Sequence, residues 1–279
     1  MPDLFRSLIF VPGNNPRFLA KARNLEADIV CLDLEDSVPP DRKVEAREMV
    51  AGALRGGGYR SQVFVRVNSP DSGRIPEDLD GVLRGRPDGV VVPKVNNTEE
   101  MDAISHTMER LERSTTLLLP SIESAAGVLN AYSIASHGPR VCGVVFGIFD
   151  LLNDMGMEYS KDPGTALYAR SKVPVDAAAA GVPAIDGIWQ DVRDAAGFGA
   201  DCRLGRSMGY AGKSLIHPDQ IDAAHRAFAP TEPEVRWARR VCEEYRRALG
   251  GGRGAIQLDG RMIDEVHYKR ALAVLELAE

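Results

Sequence analysis

Acidic side chains follow several short apolar runs of this sequence. Asp33, Glu35 and Asp36 end the run IVCLDLED, Glu123 ends TLLLPSIE, and Asp150 ends CGVVFGIFD. Carboxylates are rarely buried without a partner or a metal ion, so apolar runs that end in acids indicate a site. Because Glu123 and Asp150 end neighbouring runs, we predict that both bind one metal ion; Mg²⁺ commonly takes one or two protein carboxylates. The alternative for Glu123 is a charge in the first turn of a helix.

Two basic residues accompany these acids. Arg66 lies in the otherwise apolar run FVRVN, and Lys94 lies in GVVVPKV. Arg66 can pair with Glu35 or Asp36, or it can offer a planar donor to a carboxylate or an enolate oxygen, and both roles can hold together. A mostly acidic group with two counter-charges suits a divalent cation that holds an anionic, oxygen-rich substrate. Structural roles, as ion pairs or hydrogen bonds, are predicted for three other polar residues: Asp33, Asp186 and His217.

These residues need a scaffold that brings the ends of many strands together. Short apolar runs alternate with longer amphipathic segments, which is typical of a parallel α/β fold. The runs are residues 7–13, 28–35, 62–68, 89–95, 116–123, 142–150, 182–188 and 211–218. The helical segments are residues 16–26, 41–55, 77–85, 98–112, 124–136, 164–181, 191–206 and 219–228. Eight of each predict a TIM (β/α)8 barrel, in which catalytic residues lie at the carboxyl ends of the strands. A doubly wound sheet is less favoured because no G-x-G-x-x-G follows the first run.

The barrel is predicted to span residues 1–229, and residues 230–279 are predicted to form a C-terminal helical extension. The stretch APTEPEVRWARRVCEEYRRALGGG indicates one charged amphipathic helix that ends at glycines. A short strand or turn and a last helix follow. We expect this extension to act as a lid over a barrel mouth, either its own or that of a neighbouring subunit.

The composition argues against several classes of function. Hydrophobic residues make up 44% of the chain, charged residues 27%, and the formal net charge is −6; this disfavours a general nucleic-acid or anionic-membrane surface. The four cysteines are far apart and form no C-x-x-C motif, so we expect reduced thiols and no structural zinc. No run of eighteen apolar residues occurs. We therefore expect a cytoplasmic protein with no nucleic-acid and no membrane partner.

Several longer stretches resemble one enzyme family. They include RSLIFVPGNNPRFLAKA, CLDLEDSV, VFVRVNSP, PSIESAAGVLNA, FGIFDLLNDMG, GYAGKSLIHPDQI and DGRMID. Together they resemble the citrate lyase beta-subunit-like branch of the HpcH/HpaI aldolase superfamily, which includes malyl-CoA and citramalyl-CoA lyases. The resemblance covers nearly the whole chain. It implies a TIM barrel, a homotrimer or hexamer, bound Mg²⁺, and CoA or acyl-carrier thioesters as substrates.

The resemblance also implies roles for individual residues. Glu123 and Asp150 match the metal-binding Glu and Asp of the family, and Arg66 matches the Arg of its V-R-[VI]-N motif. Asp264, in GRMID, matches an Asp that reaches into the adjacent subunit's site in the lyases that have it. From the sequence alone, Asp264 would be a helix N-cap. Many relatives carry a second acid directly before the strand-six Asp, and Phe149 occupies that position here.

The expected reaction is the reversible cleavage of a β-hydroxyacyl-CoA, of malyl-, citramalyl- or citryl-CoA type, into a 2-oxo acid and a shorter acyl-CoA. The expected catalytic residues are Arg66, Asp264, Glu35 and Asp36, and the expected substrate-binding residues are Arg66 and Glu123. Arg66 would stabilise the enolate oxygen, and Asp264 would exchange the proton at the enolate carbon. Glu35 and Asp36 would orient Arg66 and the metal-bound waters.

The thioester end of the substrate is less defined by the sequence. Arg17, Lys21 and Arg23 are candidates for the CoA phosphates, or they form a solvated basic helix face. Four other functions remain open: a malyl-CoA-type thioesterase, the beta subunit of a citrate lyase complex with an acyl-carrier thioester, a metal-dependent aldolase of free 2-oxo acids, and a CoA-binding protein without activity.

Overall fold

A closed barrel of eight parallel strands forms the larger part of the molecule. The computed structural model describes residues 5–111 and 116–278. The strands are β1 Ser7–Pro12, β2 Ile29–Asp33, β3 Gln62–Arg66, β4 Gly89–Val92, β5 Leu117–Ile122, β6 Val144–Phe146, β7 Ala184–Asp186 and β8 Gly212–Leu215. Each strand pairs with its neighbours in chain order, and β1 pairs with β8 to close the barrel. The predicted TIM barrel is therefore confirmed.

Helices follow the strands around the barrel. They are α1 Pro16–Ala22, α2 Lys43–Gly56, α3 Ile75–Leu83, α4 Thr98–Leu111, α5 Ala125–Leu129, α6 Ala131–Ala135, α7 Ile148–Asp154, α8 Leu167–Ala180, α9 Ala195–Met208 and α10 Ile221–Phe228. Most bounds lie within a few residues of the predicted segments. The predicted segment 124–136 is instead divided at Asn130, which ends α5 and begins α6.

The sixth run of the sequence was predicted wrongly in its second half. Strand β6 ends at Phe146, and Asp150 lies in the first turn of α7 rather than at the end of a strand. The reason is local: Leu151 and Leu152 are buried, and their spacing from Ile148 gives a helical apolar face. Asp150 therefore reaches the barrel mouth from a helix N-terminus.

Alternate strand residues fill the barrel interior. Leu8, Phe64, Leu119 and Ile185 belong to one cluster of buried apolar side chains contributed by different strands. Gly89 pairs with Phe64 in the sheet, and a β-carbon at Gly89 would lie 2.1 Å from the Phe64 ring. The interior is thus closely packed below the mouth, and it supports the polar residues above it.

A buried ion-pair network lies on the other face of β7 and β8. Lys213 Nζ contacts Asp186 at 2.8 Å and Asp201 at 2.6 Å, and Arg170 pairs with both acids. Asp201 and Arg170 belong to α9 and α8, so the network ties two helices to the barrel. Asp186 therefore has the predicted ion-pair role.

Residues 228–278 belong to a second compact unit. It contains α11 Glu232–Gly250, a hairpin of β9 Ile256–Leu258 and β10 Arg261–Ile263, and α12 Glu265–Glu276. Val241, Tyr245, Ile263 and Ala271 contribute to its own buried core. Its predicted role as a lid stays a prediction. None of the helices in the described ranges is long and apolar enough to cross a membrane.

Candidate active site

A cavity of about 430 Å³ opens at the carboxyl ends of the strands. Its lining follows the alternation of the strands: Ser121 and Glu123 come from β5 and its end, and Ser214 and Ile216 come from β8 and its end. Inward-facing residues of one strand are two apart, so these pairs are successive inward side chains. The cavity therefore lies where a TIM barrel places its chemistry.

Arg66 lies at the centre of an ion-pair group in this cavity. Its Nε and Nη2 atoms donate to the two carboxylate oxygens of Asp33 at 2.7 and 2.9 Å. Its Nη1 atom lies 3.2 Å from Glu35 and 3.4 Å from Asp36, and the Phe10 ring packs against the guanidinium at 4.5 Å. The predicted pairing with Glu35 and Asp36 is present, but Asp33 is the bidentate partner.

The charge state of Asp33 follows from this contact. Burial opposes its ionisation, yet Arg66 and a hydrogen bond from Ser37 more than offset burial and hold the pKa of Asp33 at about 2. Burial and the neighbouring Asp36 charge instead raise the pKa of Glu35. Asp33 thus stays ionised and fixes the plane of the Arg66 guanidinium.

Lys94 connects the ends of several strands. Its Nζ atom donates to Glu35 at 2.7 Å and lies 3.3 Å from Asp150 and 3.5 Å from Asp36. Its backbone N–H donates to Glu123 Oε1 at 2.7 Å. The backbone of Lys94 has a φ of 54°, a left-handed conformation that is unfavourable for a residue with a β-carbon. The backbone contact and the side-chain contacts of Lys94 depend on that conformation, because it sets the directions of the N–H and of the side chain.

Glu123 and Asp150 both line the cavity. Glu123 is 5% exposed, and its burial, together with the Asp150 and Glu35 charges, raises the pKa of Glu123 to about 8. Gly147 permits this placement, since a β-carbon there would lie 2.2 Å from Glu123 Oε2. Within residues 5–111 and 116–278, no group of three or more His, Cys, Asp and Glu has the arrangement of a metal site. The protein therefore offers a carboxylate pair rather than a closed cage.

Two serine hydroxyls complete the cavity lining, and neither was predicted from the sequence. Ser121 and Ser214 are 3% and 1% exposed. Ser214 Oγ has no hydrogen-bond partner among the described residues. A buried hydroxyl without a partner is unfavourable by about 1–3 kcal/mol, and an oxygen atom of a bound ligand would satisfy it. No sequence signal marked it, because GKSLIHP is an ordinary strand-and-turn sequence.

The other predicted residues lie outside this group. Asp264 belongs to the C-terminal unit, where it caps α12 and its carboxylate lies 2.6 Å from His267 Nδ1. Arg17 and Lys21 are exposed on α1, whereas Arg23 donates to the carbonyl of Gly57, which precedes β3. Arg23 is therefore engaged near the amino ends of the strands, and its predicted contact with CoA phosphates stays a prediction.

Phe149 adds an apolar surface directly beside Asp150. Its ring stacks on Tyr159 with 4.8 Å between the ring centroids, and it lines the same cavity as Arg66 and Glu123. His217, as predicted, has a structural hydrogen bond, which it accepts from the N–H of Asp219. The cavity thus combines an acidic wall, one guanidinium and an apolar wall.

A parallel barrel with ionisable residues in a cavity at its carboxyl end has the arrangement of a TIM-barrel enzyme. Comparison with known protein families identifies the family of this chain. Residues 6–218 match the family model described as HpcH/HpaI aldolase/citrate lyase. This chain belongs to that family. The predicted enzyme class, a carbon–carbon lyase, is confirmed at the level of the family.

Three similar proteins carry names from this family. A (3S)-malyl-CoA thioesterase of Cereibacter sphaeroides strain KD131 is 34% identical over 276 residues, which are 99% of this chain and 95% of the relative. The citrate lyase subunit beta of Escherichia coli K12 is 37% identical over 281 residues, covering 98% and 93%. A structure of CitE from Mycobacterium tuberculosis in complex with magnesium, acetoacetate and coenzyme A has a TM-score of 0.79 and 27% identity, covering 98% of this chain and 99% of that one.

Proposed function

We propose that this chain is a Mg²⁺-dependent lyase that cleaves a β-hydroxyacyl-CoA into a 2-oxo acid and a shorter acyl-CoA. The observation that carries the proposal is the convergence of Glu123, Asp150 and Arg66 on one cavity at the carboxyl ends of the strands. Relatives named for citrate lyase and malyl-CoA thioesterase support a hydroxyacyl thioester as the substrate class.

The residues present fit Mg²⁺. Glu123 and Asp150 are carboxylates of one cavity. Burial and the Asp150 and Glu35 charges raise the pKa of Glu123 to about 8, so a bound cation would offset the negative charge that acts on Glu123. Mg²⁺ commonly takes one or two carboxylates and keeps its other positions for water and substrate oxygens. When bound, it supplies a Lewis acid and a template for the carboxylate and hydroxyl oxygens of the substrate.

Arg66 is suited to the developing negative charge. Its Nε and Nη2 atoms are engaged with Asp33, and Nη1 makes only the longer contacts to Glu35 and Asp36. We therefore assign Nη1 as the donor to the thioester oxygen. The substrate hydroxyl gives its proton to water, the carbon–carbon bond breaks, its electron pair moves to the thioester as an enolate whose oxygen accepts from Nη1, and the hydroxyl carbon becomes the carbonyl of the 2-oxo acid.

Asp264 would return a proton to the enolate carbon. The hydrogen bond with His267 lowers the pKa of Asp264, so Asp264 is ionised at neutral pH and must first take up from water the proton that it gives to the enolate carbon. We propose that Asp264 acts in a neighbouring subunit's site within a homotrimer or hexamer. Mixing inactive Asp264→Ala with inactive Glu123→Ala, after dissociation and reassembly, should then restore part of the activity. If the mixture stays as inactive as its components while hybrid oligomers form, the donation between subunits is wrong.

The deciding experiment for the reaction is a mass-spectrometric screen. The purified protein is incubated with Mg²⁺ and malyl-, citramalyl-, methylmalyl-, hydroxymethylglutaryl- or citryl-CoA, with EDTA and Asp264→Ala as controls. A 2-oxo acid with a shorter acyl-CoA, lost in EDTA, supports the lyase. Absence of turnover with every CoA thioester would contradict it and favour an acyl-carrier-dependent citrate lyase subunit.

A second candidate function is hydrolysis of a malyl-CoA-type thioester. The thioesterase of Cereibacter sphaeroides, at 34% identity, favours it. The same screen separates the two, because a thioesterase gives free CoA and an intact hydroxy acid. We propose the cytoplasm as the location, in keeping with four free cysteines.

A further inference from the structure

We infer that residues 157–165 form a strap that opens and closes beside the cavity, with Lys161 as the residue that holds it closed. The strap connects α7, whose first turn lines the cavity, to α8. It covers a second, smaller hollow of about 40 Å³, which is lined mainly by polar side chains. The inference goes beyond the proposed function, because it holds whichever reaction the cavity supports.

Few contacts attach the strap to the barrel. Among its residues, only Tyr159 and Thr165 are half-buried, and the others are exposed. The backbone N–H groups of Gly164 and Thr165 donate to Asp162, so these hydrogen bonds stay within the strap. Gly156, directly before the strap, has a φ of 65°, where glycine is free to change direction. A segment with so little buried surface opens without disturbing the rest of the fold.

Lys161 makes the contacts that hold the strap against the barrel. Its Nζ atom lies 2.7 Å from Asp194, 2.9 Å from Asp191 and 5.3 Å from the centre of the Trp189 ring. All three partners lie between the end of β7 and the start of α9. The charged side chains are 30–48% exposed, so each ion pair changes the open–closed equilibrium by about fivefold or less. The contacts together favour the closed strap, and they are weak enough to break and re-form readily.

The hollow under the strap does not oppose opening. Trp189 lines it and is 7% exposed, yet Trp189 Nε1 has no hydrogen-bond partner among the described residues. Solvent that reaches the indole through an open strap would accept from this N–H group. Opening therefore gains a hydrogen bond for the indole and breaks none.

A second contact joins the strap to the cavity. Tyr159 stacks on Phe149 with 4.8 Å between the ring centroids, and Phe149 lines the cavity beside Asp150. Trp189 lines the hollow instead. The strap thus connects Phe149 on one side with Trp189 on the other. A ligand that packs against Phe149 favours the closed strap, and opening frees Phe149 and uncovers Trp189 together.

The fluorescence of Trp189 reports the opening. The chain has two tryptophans, Trp189 and Trp237, so a Trp237→Phe background leaves Trp189 as the single reporter. Acrylamide quenching, corrected for the fluorescence lifetime, measures how readily the indole meets solvent. In this background, Lys161→Met removes the charge at similar length and should raise the quenching rate at least about threefold. Lys161→Arg keeps the charge and should keep the rate of the background protein.

Lys172→Met is the matched control, because it makes the same chemical change at an ion pair with Asp176 inside α8. Its quenching rate should equal that of the background protein. Salt at about 1 M screens exposed ion pairs, so it should raise the rate in the background protein and leave Lys161→Met unchanged. Equal rates in Lys161→Met and the background protein, or an equal rise in Lys172→Met, would overturn the inference.

Phe149→Leu tests the connection to the cavity. It removes the stacking on Tyr159 and should raise the quenching rate of Trp189 about twofold or more. Combined with Lys161→Met, the two effects should multiply, because both contacts hold one strap. An unchanged rate in folded Phe149→Leu would show that the cavity and the strap are independent and would overturn the inference. No thioester is used, so this outcome is separate from that of the screen for the proposed reaction.

Discussion

Gly147 offers the sharpest test of the proposed metal site, because a single methyl group there acts on one candidate ligand. Its φ of −105° is acceptable for any residue, so alanine brings no backbone strain. A β-carbon would lie 2.2 Å from Glu123 Oε2 and 2.5 Å from Glu123 Cβ. The second distance matters most, since a carboxylate can rotate away but a β-carbon moves only with the backbone.

Gly147→Ala should therefore displace the Glu123 side chain as a whole. We expect the affinity for Mg²⁺ to fall about 10–100-fold, or about 1.4–2.8 kcal/mol, which is the usual effect of disturbing the support of a metal ligand. Overpacking should lower the free energy of unfolding in EDTA by about 1–3 kcal/mol. Calorimetric titration with Mg²⁺ and urea unfolding measure the two effects separately.

Gly52→Ala is the matched control. It makes the same chemical change in α2, where an added β-carbon has no neighbour within 4 Å, and it should stabilise the helix by about 0.5–1 kcal/mol. Mg²⁺ affinity should be that of the wild type. If Gly147→Ala also binds Mg²⁺ with wild-type affinity, Glu123 does not bind the ion and the proposed site is wrong.

Three further predictions concern charge and hydrogen bonding at the mouth. Asp33→Asn removes the bidentate partner of Arg66 and should lower the free energy of unfolding, measured in urea, by about 3 kcal/mol. No measurable change would show that the remaining acids are sufficient partners for Arg66. Burial and Asp150 raise the pKa of Glu123 to about 8, so the folded protein keeps a proton that the unfolded chain releases near pH 4. The free energy of unfolding, measured in EDTA, should therefore fall as the pH rises from about 5 to 8. The same dependence on pH in Glu123→Gln would contradict this cause. Ser214→Ala should leave the thermal midpoint of unfolding unchanged or higher, and it should raise KM several-fold, which corresponds to a loss of about 1 kcal/mol of binding free energy. An unchanged KM would exclude a contact between Ser214 and the substrate.

Alternating apolar runs and helical segments predicted the barrel well, because each strand is short, buried and followed by turn residues. The boundary error at β6 has a physical cause. The stretch CGVVFGIF before Asp150 is apolar throughout, and such a run fits a buried strand or the start of a buried helix equally well. Only the packing of Leu151 and Leu152 decides in favour of α7.

The polar side chains of the mouth were predictable as a group, since carboxylates at the ends of buried runs are unusual. Their pairing was not, because it depends on distances across the barrel. Asp33 was assigned a structural role and Arg66 a functional one, yet they form one bidentate contact. Ser214 was not predicted, because a serine in a strand carries no charge signal. The role of Asp264 and the lid function remain predictions.

Lys94 has a further consequence for attempts to engineer this protein. A left-handed backbone at a residue with a β-carbon is unfavourable by about 1–2 kcal/mol, so backbone preference alone would favour Lys94→Gly or Lys94→Asn. Either change removes the ammonium group that contacts Glu35 and Asp150, and loss of the partner of a buried carboxylate costs about 3–5 kcal/mol. A library designed only to relieve left-handed backbone strain should therefore lose stability at Lys94 rather than gain it.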